Sequence, residues 1–341
     1  MKAVRYHGPK TPFRLEEVPL PEPGPGEVRV RVAAAGVCHT ELHFEAGLLD
    51  LGVAPLTMGH EIAGTVDALG SGVTDRAPGD RVLLYYYAGC GACEWCARGE
   101  ENLCPAPRAE LGFITDGGYA EYVVAPARNA VRLPDSLSFT DAAPIGCGVT
   151  TALHACALAR ILPGETVVVY GAGGVGFGLV QVARLRGARV IVVGRSAKKL
   201  ELASSLGAEA VVNASEVKDV AARVRELTGG RGADVIFELV ATEPTMAASL
   251  GALARRGRLV FVGYSEAALT VHPIQLVILE AEVLGSVGNT LAELEEAVRL
   301  VAEGKVRTVV DRTLPLESFA DALDALRRGE VAGRVVLTPG G

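Results

Sequence analysis

The run Thr166-Val-Val-Val-Tyr170 leads straight into Gly171-Ala-Gly173-Gly174-Val175-Gly176, followed by a helical pattern to about Gly187. A buried strand that turns on glycines into a helix is the start of a βαβ unit, and such units need a parallel sheet around them. In this spacing Gly171 permits the tight turn and Gly173 lets backbone approach a pyrophosphate. Gly176 lets the helix pack close on the strand. Gly174 and Val175 open the helix, whose N-terminus offers N–H groups and partial positive charge to phosphates. A glycine-rich turn alone can be purely structural. The strand–turn–helix setting points to dinucleotide binding.

The next strand bears on which dinucleotide. An NAD site places Asp or Glu about 20 residues on, to hold the ribose 2′-OH. Here that position is Gly194, followed by Arg195, Ser196, Lys198 and Lys199, and no carboxylate occurs from Thr166 to Leu200. A carboxylate would repel a 2′-phosphate, whereas Arg195 and Lys199 can bind one through charge-assisted bonds. The alternative is that these cations are solvated residues at a helix start. The missing acid is the stronger half of the argument, and it favours NADP(H), with NAD(H) as the other option.

The βαβ rhythm extends well beyond this turn. Arg189–Val193, Asp234–Leu239 and Arg258–Val262 read as further buried parallel strands, with Lys198–Leu206 and Val217–Leu227 as amphipathic helices between. Before about residue 150 the texture differs. Val28–Val32 alternates as VRVRV, and Glu61–Ala68, Arg81–Tyr87 and Tyr119–Val124 are strand-like. Pro19–Gly26, with four prolines and two glycines, reads as a loop. Beyond Thr290, two helical patterns (Leu291–Ala302 and Leu316–Arg328) precede a strand at Gly333–Leu337. A length of 341 residues suits about two domains.

Charge and hydropathy exclude several roles. The net charge of −7 argues against nucleic acid as a partner. The longest apolar stretch, Val167–Val180, is 14 residues with five glycines, too short to span a bilayer. Met1–Glu17 has charges and no apolar core, so no secretion signal is read there and no membrane partner is expected.

Four of the seven cysteines fall within 15 residues: Cys90, Cys93, Cys96 and Cys104. Four thiolates on one short segment suit tetrahedral, closed, structural zinc. Redox-active pairs are the alternative, and four in this cadence favour zinc. A second constellation is dispersed. Cys38-His39-Thr40-Glu41-Leu42-His43 is followed by Gly59-His60-Glu61, and Cys147 lies in Pro144-Ile-Gly-Cys147-Gly-Val-Thr-Thr151. Cys38, His60 and Cys147 would form an S,N,S set with one open position, the catalytic form of a zinc site. Taken singly, each has a bland reading as a buried thiol or a structural histidine.

Together these four motifs resemble the medium-chain, zinc-dependent alcohol dehydrogenase family over essentially the whole chain. The resemblance implies an α/β fold. A Rossmann domain at 148–287 would stand beside a β-rich GroES-like catalytic domain at 1–147, whose zinc lobe is 88–106 and whose sheet is completed by 288–341. It implies that Cys38, His60 and Cys147 hold the catalytic zinc, with Glu61 able to enter the coordination sphere. Thr40 would take the substrate proton, His43 would relay it to solvent, and Glu41 would stand behind the ligand histidine. Thr151 would contact the nicotinamide, and Arg334 would lie near the cofactor phosphates. Cys156 matches no family site.

The implied activity is hydride transfer between a small alcohol and its aldehyde or ketone, with two zinc ions per chain and a nicotinamide cofactor. A homodimer or homotetramer is expected, in a reducing, cytoplasmic compartment where thiolates hold metal. Two rivals are weaker. A zinc-free enone or quinone reductase of the same superfamily does not need Cys38, His60 and Cys147 together. A non-catalytic dinucleotide-binding protein has no use for Thr40 and His43. Phe44–Asp50 lacks the tryptophan that many bacterial relatives carry there, with Leu48 and Leu49 in its place. With Phe44, Phe113 and Ile114 these leucines are the candidate pocket residues.

Overall fold

In the computed structural model, which describes residues 1–340, the apolar run Thr166–Tyr170 is a strand with every residue buried. It lies third in a six-stranded sheet whose order is Ala210–Asn213, Arg189–Gly194, Thr166–Tyr170, Ala233–Glu238, Leu253–Phe261 and Glu282–Gly285. Every neighbouring pair runs parallel. Strands covered on both faces need continuous apolar runs, and Val168, Ile191, Val193, Ile236 and Leu259 are core residues of this sheet. The helices between begin where polar side chains cap them. Ser196 accepts from Lys199 N–H at the start of Ala197–Ser205. Asp219 accepts from Ala222 N–H at 2.9 Å, so the expected helix over Val217–Leu227 begins at Val220. Capping by a short carboxylate requires non-helical backbone at that residue, which excludes the residues before it.

This sheet belongs to one of two compact units, Thr151–Gly288. The other comprises Met1–Thr150 together with the chain from Asn289 onward. Its central strand is Glu27–Val37, eleven residues long. The strand pairs antiparallel with Glu61–Leu69, with Tyr122–Pro126 and with Arg334–Thr338. The expected strand Arg81–Tyr87 is broken: Arg81–Leu84 joins this sheet, whereas Tyr87–Ala88 pairs with Ala109–Glu110 in a two-stranded ladder. That ladder closes off residues 89–108 as a separate lobe.

Register at one end of the central strand brings distant residues together. Gly36 is paired with Glu61, and Val37 with Val335. Cys38, Glu61 and Arg334 therefore sit at adjacent strand ends. Cys147 arrives from a different direction, in the short π-helical turn Ile145–Val149. A Cβ on Gly146 would lie 3.5 Å from Glu61 Cα, so this turn packs directly on the strand end. Among the described residues, no helix is long and apolar enough to cross a membrane.

Candidate active site

Cys38, His60, Glu61 and Cys147 are all buried, and one ligand atom from each lies within 4.8 Å of all the others. Their surroundings fit a divalent cation. As metal ligands, two thiolates and the Glu61 carboxylate would bring three negative charges, which burial and mutual repulsion otherwise oppose at Cys147 and Glu61, and among the described residues Arg334 is the one guanidinium that answers them within hydrogen-bonding reach. Arg334 Nε donates to Glu61 Oε1 at 2.9 Å, and its Nη2 lies 3.8 Å from Cys38 Sγ and 3.7 Å from Cys147 Sγ. A dication balances the rest. His60 Nδ1 and Glu41 Oε1 are 3.8 Å apart, and both are buried without a hydrogen-bond partner. Metal on the other ring nitrogen would fix Nδ1 as an N–H donor toward this carboxylate, the usual support of a metal-bound histidine.

The electrostatics of the cluster match that chemistry. A hydrogen bond from Cys147, with help from Arg334 and His60, holds the Cys38 thiol well below the usual thiol range despite burial. Burial opposes charge on His60, yet Cys38 and the carboxylates of Glu41 and Glu61 raise it to about 9. Burial, together with the charge on Cys38, pushes Glu41 up to about 8. Without metal the protons are thus shared among crowded acids and a base. A cation that requires thiolate and neutral imidazole releases them.

Thr40 begins the short helix Thr40–Ala46, with its Oγ1 3.5 Å from Cys38 Sγ. His43 lies one turn further along the same helix, half-buried, its ring 5.2 Å from that of His39. Burial and the neighbouring His39 lower its pKa, which keeps the imidazole neutral and able to accept a proton. Glu41 is fully buried and accepts the Cys38 N–H at 2.9 Å.

Aromatic rings wall the cluster. Phe113 stands 5.1 Å from His60, Tyr86 5.3 Å from His60, and Phe44 5.9 Å from Phe113. Phe44 and Phe113 are among the pocket residues expected from sequence. Tyr86 is not, although three consecutive tyrosines, Tyr85 to Tyr87, were a visible signal. Nor does any sequence pattern mark Glu110. It is half-buried, within electrostatic reach of His60, and pushed up to about 7 by burial. Arg334, expected beside cofactor phosphates, sits instead against Glu61 and the two thiols. The cause is register, since the last strand pairs Val335 with Val37, next to Cys38.

The lobe holds the other four thiols, all partly buried and none in a disulfide. Cys93 Sγ is 3.5 Å from Cys96 Sγ and 3.8 Å from Cys104 Sγ, and Cys90 Sγ is 3.9 Å from Cys96 Sγ. Tetrahedral sulfur around zinc, at about 2.3 Å per bond, sets sulfurs about 3.8 Å apart. Backbone N–H groups of Ala92 and Cys93 lower the Cys90 thiol to about 6. Cys156, by contrast, is buried and raised to about 12 by burial, an inert thiol.

In the other unit, Gly171 has φ +126°, and the helix Gly174–Leu185 starts with no side-chain cap. Its first-turn N–H groups, Val175 and Gly176 among them, therefore remain available. A Cβ on Gly176 would lie 2.1 Å from Gly171 O, whereas one on Gly173 meets nothing within 4 Å. The first closeness is helix-on-turn packing. The second leaves a cradle that fits a pyrophosphate. Gly194 ends its strand, Arg195 is exposed, and Ser196 and Lys199 are half-buried at the following helix start. Thr151 is buried in the helix Thr150–Leu158.

Residues 24–135 match the family described as alcohol dehydrogenase GroES-like domain, and residues 174–303 match zinc-binding dehydrogenase. The chain is 39% identical to an alcohol dehydrogenase of Geobacillus stearothermophilus, over 99% of each. It is 36% identical to an NAD-dependent alcohol dehydrogenase of Sulfurisphaera tokodaii, over 99% of this chain and 100% of that one. Among solved structures it is similar to the alcohol dehydrogenase of Aeropyrum pernix, with a TM-score of 0.93 and 37% identity, covering 99% of this chain and 100% of that one.

Proposed function

Because the chain belongs to the medium-chain, zinc-dependent alcohol dehydrogenase family, we propose specific residues and a cofactor preference for the oxidoreductase chemistry that this membership establishes. The enzyme interconverts a small alcohol and its carbonyl compound, with zinc and a nicotinamide cofactor. The observation that carries the residue assignment is the closure of Cys38, His60, Glu61 and Cys147 to within 4.8 Å, with the Thr40 hydroxyl 3.5 Å from Cys38 Sγ.

In this reading Cys38, His60 and Cys147 hold the catalytic zinc, and Cys90, Cys93, Cys96 and Cys104 hold a structural one. Zinc supplies a Lewis acid for the alcohol oxygen, and the nicotinamide supplies the hydride acceptor. Thr40 Oγ1 would accept the substrate proton while its own hydroxyl proton moves on toward His43, which burial keeps neutral and able to accept it before releasing it to solvent. Glu41 orients His60. Arg334 holds Glu61 by its guanidinium and keeps that carboxylate ready to join the coordination sphere. Phe113 and Tyr86 exclude water around His60.

Gly171, Gly173, Gly174, Val175 and Gly176 bind the cofactor pyrophosphate, and Thr151 lies against the nicotinamide. Gly194, Arg195, Ser196 and Lys199 favour NADP(H), since no acid stands at the end of that strand to repel a 2′-phosphate. The relative from Sulfurisphaera tokodaii is named NAD-dependent, so support for NADP(H) comes from these residues alone. The enzyme works as a homodimer or homotetramer, in a reducing, cytoplasmic setting that keeps its seven cysteines out of disulfides.

Elemental analysis tests the metal assignment: about two zinc ions per chain, falling to about one, with activity lost, in Cys38→Ala. A single zinc that survives Cys38→Ala would sink the catalytic site. Steady-state rates with both cofactors test the other part, with kcat/KM expected to be higher for NADPH. A clear preference for NADH would refute the reading of Gly194 and Arg195.

A further inference from the structure

Glu110 takes no part in the proton path described above. It ends the short strand that closes the cysteine lobe, paired directly with Tyr87. Directly paired residues of an antiparallel ladder project from one face, so its side chain leaves the ladder on the side of Tyr87. Tyr87 lies ring to ring with Tyr86 at 4.3 Å, and Tyr86 packs on Phe113 at 5.8 Å. The Glu110 carbonyl accepts the N–H groups of Phe113 and Ile114, both at 3.0 Å, which curls the chain so that Phe113 covers His60. The carboxyl thus stands at the edge of the aromatic wall, near enough for charge to couple it to both His60 and Tyr86.

No hydrogen bond or ion pair among the described residues engages the Glu110 carboxyl oxygens. Burial raises the carboxyl to about 7, a sign that the fold gives it little compensation. A half-buried carboxyl without a donor is costly in an aromatic setting, and a bound donor removes that cost.

We propose that Glu110 determines specificity, and that the alcohol taken by this site carries a second hydrogen-bond donor, a hydroxyl or an ammonium group, which Glu110 accepts. The inference rests on the dehydrogenase reading above and names the substrate class for the same site. A plain alkanol fills the aromatic wall but leaves Glu110 unpaired. A diol or an amino alcohol satisfies it, the latter with a charge-assisted bond.

The test uses the zinc-loaded, full-length enzyme with three compounds of matched shape: 1-pentanol, 1,4-butanediol and 4-amino-1-butanol. Both kcat/KM and the rise in Tm on ligand addition are measured, in wild type, Glu110→Gln and Glu110→Leu. At least one donor-bearing compound is expected to exceed 1-pentanol by about tenfold or more in kcat/KM. Glu110→Leu should abolish that preference while leaving 1-pentanol within a few fold of wild type. Selective loss of the amino alcohol in Glu110→Gln assigns the preference to charge, and its retention for the diol assigns it to the hydroxyl. An equal or better rate with 1-pentanol in wild type overturns the proposal, as does a parallel fall for all three compounds in Glu110→Leu. Failure to turn over any alcohol would strike the dehydrogenase reading instead. The Tm readout still decides on Glu110: a larger rise with the donor-bearing compounds, lost in Glu110→Leu, supports it, and equal rises overturn it.

Discussion

Glu101 shows how much of the cysteine lobe depends on one side chain that is not a ligand. Its carboxylate accepts from Gly89 N–H at 2.7 Å and from both Arg128 Nη groups at 2.5 and 2.6 Å. The Arg128 guanidinium holds it below the usual carboxylate range, with burial opposing and the Gly89 N–H helping. A lowered folded-state pKa gives stability that is present above the unfolded value and lost as pH falls through the folded one. Glu101→Gln is therefore expected to lower stability at pH 7 by about 1 kcal/mol, discounted for the half-exposed Arg128. The gap between wild type and variant should begin to narrow below about pH 4.5, the unfolded value, and close as pH falls through the lower folded value. Urea midpoints measured from pH 7 downward read it, and a gap that does not narrow at all between pH 7 and about pH 2, below both values, would exclude this linkage. The lobe's four thiols were readable in the sequence because their spacing is local. The Arg334–Glu61 pair was not, because 273 residues separate its members and only strand register brings them together. Glu110 was hidden for the same reason, since its neighbours His60 and Tyr86 come from other segments.

At the scale of elements, the turn from Thr166–Tyr170 into Gly174–Leu185 separates packing from ligand approach within six residues. A Cβ on Gly176 would meet the Gly171 carbonyl at 2.1 Å, so helix and turn must move apart. Gly176→Ala is expected to destabilise the fold by about 1–3 kcal/mol and to weaken NADPH binding. Gly173→Ala adds a methyl where no protein atom lies within 4 Å. Its Tm should stay near wild type while NADPH affinity falls about tenfold or more, because the methyl occupies the space that a pyrophosphate needs. Thermal unfolding and fluorescence titration with NADPH distinguish the two. Equal losses of stability in both variants would mean that Gly173 has only a packing role. This turn and the four buried strands around it were legible, since a strand covered on both faces must be apolar throughout. No pattern marks Arg14–Glu17 or Val310–Pro315, because neither contains a buried residue and both carry charged residues.

At the scale of the whole molecule, the parallel sheet ends at Glu282–Gly285, which among the described residues is bonded to Leu253–Phe261 on one side only. An open strand edge with unpaired N–H and C=O groups is a template for a second chain unless it is blocked by charge, proline or a covering element. Beside it, the helix Pro273–Leu279 exposes Ile274 at 64%, Val277 at 74% and Ile278 at 56%, and Val283 on the edge strand is 39% exposed. Apolar side chains this exposed and this close together mark a contact surface. A two-fold axis through the edge would pair the strand with its own copy and bury the same helix face from both chains. The native enzyme is accordingly expected to elute with at least twice the mass of one chain. Val277→Asp combined with Ile278→Lys leaves the zinc ligands and the glycine turn untouched, so zinc content should remain at wild-type level while the assembly dissociates at micromolar concentration. Light scattering coupled to size exclusion reads the mass, and an undiminished oligomer in the double variant would place the interface elsewhere on the chain.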